Sequence, residues 1–182
     1  VLKNQLNPHM LFNSLNTLRS LVRENQDKAQ DYIQELSRVL RYTLQDNEAQ
    51  SVTLREELEF ASAYIFLLKM RYENNLQFDI QTDKALEEYR VPPMSIQMLI
   101  ENAVKHNEIS NRKPLTIHIT TNKKEEKLSV SNAIQPKWTA TPGTGIGLVN
   151  LAKRYRLLFK QDIQITEDEE FTVCIPLIDE KQ

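Results

Sequence analysis

Two stripes of leucine in the first 46 residues limit what this chain can fold into. Leu11, Leu15, Leu18 and Val22 recur at spacings of four, three and four, the period of an amphipathic helix. After the polar break ENQDK, Ile33, Leu36, Leu40 and Leu44 repeat the pattern, so residues 8–46 read as a helical hairpin. Stripes this narrow bury little by themselves, and the usual solution is pairing with a second copy into a four-helix bundle. A homodimer is expected.

The remaining composition is that of an ordinary soluble protein. With 182 residues, 40% hydrophobic, 26% charged and a net charge of -2, the chain is neither disordered nor collagen-like, and nothing in its charge points to nucleic acid. It is long enough for one core plus a helical appendage. Cys174 is the sole cysteine, so no intrachain disulfide can form and a reducing compartment fits; its setting, FTVCIPL, predicts a buried strand residue. No apolar run approaches the roughly 18 residues of a membrane span. The chain opens mid-pattern at VLKNQLN, as a piece of something longer would.

After DNEAQS the texture changes, which predicts a domain boundary near residue 50. A short strand signal at SVTL precedes a helix through REELEFASAYIFLLKMRYEN and alternation in LQFDIQ. Downstream come a helix from Met94 to about His106, strands at LTIHITT and KLSVSN, a helix after Gly147, and strands at DIQIT and FTVCIPL. This mixed order, with antiparallel-looking hairpins beside helices, predicts an α+β two-layer sandwich: an open sheet with helices on one face.

Three stretches hold residues suited to chemistry. In NPHMLFNSLN, helical projection sets His9, Asn13, Asn16 and Ser20 opposite the leucine stripe, so His9 faces solvent or a partner domain. A neutral imidazole offers a lone pair to an electrophile, although a lone histidine is more often an inert surface residue. In LIENAVKHN, Ile96, Leu99, Ile100, Ala103 and Val104 form a buried face. Glu101, Asn102 and Lys105 project opposite it, with His106 at the margin. Asn can ligate Mg²⁺ without adding charge, Lys can meet phosphate, and Glu can orient or deprotonate a nucleophile; the plain alternative is a solvated helix face. In PGTGIGL stand all three glycines of the chain, Gly143, Gly145 and Gly147, ahead of Leu148 and a predicted helix. Glycines at alternate positions there suit a loop that wraps phosphate, or a simple turn and cap. The stretch matches neither a Walker loop nor a dinucleotide fingerprint.

In this order and at these separations, the three motifs resemble those of the sensor histidine kinases of two-component systems, in their LytS-like branch. The resemblance covers essentially the whole chain. NPHMLFN is similar to that branch's phosphoacceptor motif NPHFLFN, IENAVKHN to the N box of the Bergerat-type (GHKL) ATPase fold, and GTGIGL with VNLAKRY to its second glycine box. The resemblance implies residues 1–50 as a dimerisation and histidine-phosphotransfer hairpin and 51–182 as an ATP-binding domain. It implies autophosphorylation of His9 by ATP, then transfer to an aspartate on a response-regulator receiver domain.

The same resemblance assigns roles. Asn102 would ligate Mg²⁺, Glu101 would assist His9 or a Mg-bound water, and Lys105 and His106 would lie near the phosphates. Gly143, Gly145, Gly147 and Leu148 would close the ATP lid, and Asn132 would read adenine. The family has Asp in a V-x-D-x-G context where this chain has Val130-Ser131-Asn132-Ala133, which implies weaker nucleotide affinity and a stiffer lid hinge. An upstream membrane sensor, outside this chain, and a cytoplasmic location for this portion are also implied. A signalling scaffold that has lost catalysis, or an ATPase of the same fold, would share much of the pattern.

Overall fold

The computed structural model describes residues 8–45, 51–138 and 145–181. Two helices come first, α1 (Pro8–Glu24) and α2 (Gln26–Leu44). Pro8 opens α1, where a missing N–H costs nothing. The polar break is needed for a cap: Asn25 is extended, and its side chain accepts from the Lys28 amide at 3.2 Å to start α2.

The leucine stripes divide between two destinations. Leu21 and Leu36 are buried, and Leu18 and Leu40 pack against them, together with Tyr32 and Val39. Leu15 and Val22, expected in the same seam, stay 49% and 53% exposed, as do Ile33 and Leu44 at 46% and 47%. The protomer's own core takes an adjacent stripe, running through Met10, Ser14, Leu18 and Leu21, because the face presented to the following helix is rotated from the leucine line. Half of the predicted seam therefore lies outside the protomer's core.

That following helix is α3 (Leu54–Tyr72), entered from a two-residue strand, β1 (Val52–Thr53). Thr53 and Glu56 form a capping box, the Thr53 hydroxyl accepting from the Glu56 amide and the Glu56 carboxylate from the Thr53 amide, which contributes on the order of 1 kcal/mol. Phe60, Ala63, Tyr64, Leu67 and Leu68 are all buried on α3. An all-round apolar helix is one packed on several sides, here by the hairpin and by the layer below. Tyr42 of α2 stacks on Phe60 with ring centroids 4.2 Å apart.

Strand β2 (Leu76–Gln81) follows, then β3 (Arg90–Val91), paired antiparallel with β1. Helix α4 (Ser95–His106) leads to β4 (Leu115–Asn122) and β5 (Lys127–Ala133). Helix α5 (Ile146–Phe159) precedes β6 (Gln164–Glu167) and β7 (Glu170–Pro176). The main sheet has the order β2-β4-β5-β7-β6. Along β4 and β5, Leu115, Ile117, Ile119, Leu128 and Val130 are buried, while His118, Thr120, Ser129 and Ser131 alternate onto the more open face. Leu151 and Tyr155 of α5 are fully buried, and the Tyr155 hydroxyl donates to the Pro176 carbonyl at 2.8 Å, tying α5 to β7.

The two-layer α+β architecture expected from the sequence is the one found. Two details differ. β2 and β4 are parallel, joined by the crossover that contains α4; alternation marks a strand but not its direction. Cys174 is only half-buried, opposite Ser129 and Gln164 on the open face, because the inward positions of β7 belong to Val173 and Ile175. Among the described residues no helix is long and apolar enough to cross a membrane.

Candidate active site

Helix α4 carries the site. Its N-terminal residue before the helix, Met94, is left-handed at φ 66° and offers no side-chain cap. The cap comes from elsewhere: buried Glu57 of α3 accepts the Ser95 amide at 2.6 Å, and the Tyr42 hydroxyl donates to its other oxygen at 3.1 Å. Burial raises the Glu57 carboxyl to about 7, against the opposing effect of its hydrogen bonds. Arg154 of α5 lies close enough to feel that charge and donates to the Pro93 carbonyl at 2.9 Å. At the other end, buried Asn107 donates to the Ala103 carbonyl and accepts from the Gln135 amide, both at 2.8 Å, stapling α4 to the segment after β5.

With both ends fixed, α4 presents Ile96, Leu99, Ile100 and Ala103 to the core and sends Glu101, Val104, Lys105 and His106 into a cavity of about 510 Å³. The far wall is α1, which supplies His9, Asn13 and Thr17. Sequence separation of more than 90 residues is thereby closed: His9 faces Glu101, Lys105 and His106 across one space. Asn13, one turn after His9, places its amide nitrogen 3.1 Å from His9 Nδ1. The contact holds the ring plane. His106 is shifted below the ordinary imidazole range by burial, then by Lys105 and Lys137, which keeps it neutral at pH 7.

The other predicted residues lie elsewhere. Asn102, half-buried on α4, does not line this cavity. Asn132 is 1% exposed on the helix-facing side of β5, its amide nitrogen donating to the Ala133 carbonyl at 2.8 Å, so that its oxygen is the acceptor that remains. Gly145 precedes α5 in the left-handed conformation, φ 57°, without a side-chain cap. Gly147 lies inside the first turn of α5 rather than before it, with ordinary helical backbone, and Leu148 packs against the core. Gly143 lies outside the described residues.

A family model described as histidine kinase matches residues 1–76. The Staphylococcus epidermidis "Sensor protein LytS" is 33% identical over 172 residues, covering 87% of this chain and 29% of that protein. The chain belongs to the histidine kinases, in their LytS-like branch. The Staphylococcus aureus "Sensor histidine kinase/phosphatase LytS" is 40% identical over 112 residues, 62% of this chain and 19% of that protein. Among solved structures, the catalytic domain of histidine kinase ThkA aligns over 72% of this chain and 97% of its own, at 25% identity and a TM-score of 0.49. This histidine kinase sequence thus spans less than a third of the LytS relatives it matches.

Sequence reasoning missed several residues that shape the kinase-family site. Glu57 lay in an ordinary REELE run, and nothing local marks it as the cap of a helix 38 residues away. Arg71 and Lys137, which also line the His9 cavity, have no motif around them. Asn107, directly after the N-box helix, carried one usable signal: Asn is favoured just past helix ends.

Proposed function

We propose that this chain is the phosphotransfer and ATP-binding portion of a sensor histidine kinase, with residues 1–50 as the dimerising hairpin and 51–182 as the catalytic domain. What supports this most directly is one juxtaposition: His9 of the NPHMLFN motif and Glu101 and Lys105 of the N box line the same cavity, from opposite walls. Phosphoryl transfer relies on positioning and charge neutralisation more than on covalent machinery, and these residues supply both.

The donor set fits a magnesium nucleotide. Mg²⁺ takes few protein ligands and keeps phosphate and water oxygens for the rest. Asn102 supplies a neutral oxygen from α4, Asn132 an amide oxygen for an adenine amino group, and Gly145 the uncapped start of α5 for phosphate. Gly147 and Leu148 follow in its first turn. ATP supplies the phosphoryl group and Mg²⁺ neutralises its charge. Glu101 takes the proton from the His9 ring, Asn13 keeps the ring aimed, and Lys105 with neutral His106 borders the phosphates.

The half-exposed Leu15, Val22, Ile33 and Leu44, with Phe12 at 66% exposure, form the face on which a second copy docks as a homodimer. The phosphoryl group passes from His9 to a response-regulator aspartate. The portion works on the cytoplasmic side, downstream of a membrane sensor.

Labelling with γ-³²P-ATP and Mg²⁺ tests the reading. Wild type should acquire acid-labile, alkali-stable label and His9→Gln none. Equal label on both, or none on either in a longer form that includes the sensor, would overturn it; phosphate release without label would mark an ATPase, and no nucleotide binding a scaffold.

A further inference from the structure

The His9 cavity is more cationic than the kinase motifs require. Beside Lys105 it is lined by Arg71, from the C-terminal end of α3, and by Lys137, from the segment after β5. Three basic side chains from three separate stretches of chain converge there, against the single carboxylate of Glu101 among the described lining residues. The Arg71 guanidinium lies over the Tyr72 ring, 4.7 Å from its centroid, a stacking that restrains the planar fork.

Gathering like charges in a partly buried space is unfavourable by itself. Lys137 registers it: burial and then Arg71 push its ammonium below the ordinary lysine range. His106 registers it too, lowered by burial and then by Lys105 and Lys137. A doubly negative tetrahedral group entering the space would relieve that repulsion, and its oxygens match a guanidinium fork plus two point charges. The cavity's volume is in the range of ligand clefts.

We infer that Arg71 and Lys137 join Lys105 in holding the terminal phosphate of the nucleoside triphosphate in front of His9. The inference rests on the proposed kinase reading and adds two residues to it. In the step they serve, a ring nitrogen of His9 forms the N–P bond while the bond from that phosphorus to the bridging oxygen breaks. ADP departs with the electron pair, and the ring proton passes to Glu101. As charge spreads over the three equatorial oxygens in transit, Arg71 and Lys137 meet it together with Lys105.

The test compares ATP with ADP, which lacks only the group in question. Binding is measured by calorimetry in the His9→Gln background, where no turnover occurs, for Arg71→Gln, Lys137→Ala and the double variant. ATP affinity should fall about ten-fold or more for the double variant, ADP affinity should stay within about two-fold, and label on His9-containing protein should fall at least as far as ATP affinity. Arg71→Lys should recover only part of the loss, since a point charge lacks the fork. Thermal melts matching the parent establish that the fold is intact. Equal weakening of ATP and ADP would overturn the inference, as would unchanged ATP binding and labelling in the double variant while wild type labels normally. A wild type that binds no ATP sinks the kinase reading and this inference together.

Discussion

The Tyr42 hydroxyl meets Glu57 Oε2 at 3.1 Å, and through that one carboxylate the second hairpin helix is joined to the start of the N-box helix. Three helices share a fully buried acid. Because burial raises its folded pKa from 4.5 to about 7, the unfolded chain gives up this proton first as pH climbs. Stability contributed by protonated Glu57 is therefore complete below about pH 4.5, declines as pH rises toward 7, and is level above it. Relative to Glu57→Gln, which cannot ionise, wild type should lose roughly 3 kcal/mol across that window. Urea unfolding of both proteins from pH 5 to 8 checks it; a difference that is flat or rising with pH would contradict the assignment.

Asn13 and His9 make the second prediction. The 3.1 Å contact from the Asn13 amide to Nδ1 fixes ring orientation, so Asn13→Leu should slow phosphohistidine formation by roughly five- to ten-fold, the worth of one hydrogen bond, with ATP affinity unchanged. Asn13→Asp accepts only, moves the ring proton to Nδ1 and leaves Nε2 its lone pair. It should label faster than Asn13→Leu. The opposite order would mean that Asn13 has no part in orienting the ring.

Gly145 and Gly147 are predicted to respond to alanine with opposite signs. A Cβ meets nothing within 4 Å at either position, but Gly145 has φ +57°. Alanine there incurs about 1–2 kcal/mol of left-handed strain, whereas in the first turn of α5 it favours helix by about 0.5–1 kcal/mol. Thermal melts of the two variants should move in opposite directions. In nucleotide titrations Gly145→Ala should weaken ATP binding by more than Ala133→Gly strengthens it.

The outward stripe of the hairpin supports the fourth. Leu15→Lys with Val22→Lys changes side chains that are half exposed within the protomer, so the fold should hold while the dimer separates. Analytical ultracentrifugation at micromolar protein should show a monomer for the double variant and a dimer for wild type; an intact dimer would place the interface elsewhere.

These contrasts show where sequence is informative and where it stops. Periodicity located both hairpin helices, α4 and nearly every strand of the main sheet, because an element that buries one face writes its period into the chain. It also set Glu101 and Lys105 on the open face of α4 and His9 opposite the leucines. It did not foretell that Leu18 turns inward while Leu15 stays out, since a narrow stripe does not say which neighbour it meets. The parallel pairing of β2 with β4 was equally silent. Glu57, Arg71 and Lys137 depend on contacts made across dozens of residues, and nothing in their own neighbourhoods distinguishes them from solvated surface charges.

Glu101 and Asn102 are consecutive, yet the turn of the helix sends the first toward His9 and the second out of that cavity. On the proposed reading, a hairpin that tilts away takes His9 with it and leaves Arg71, Lys105 and Lys137 standing, so a sensor pulling on α1 would change how often the reaction fires while the grip on nucleotide persists. Control exerted in this way shows up in turnover and leaves saturation untouched.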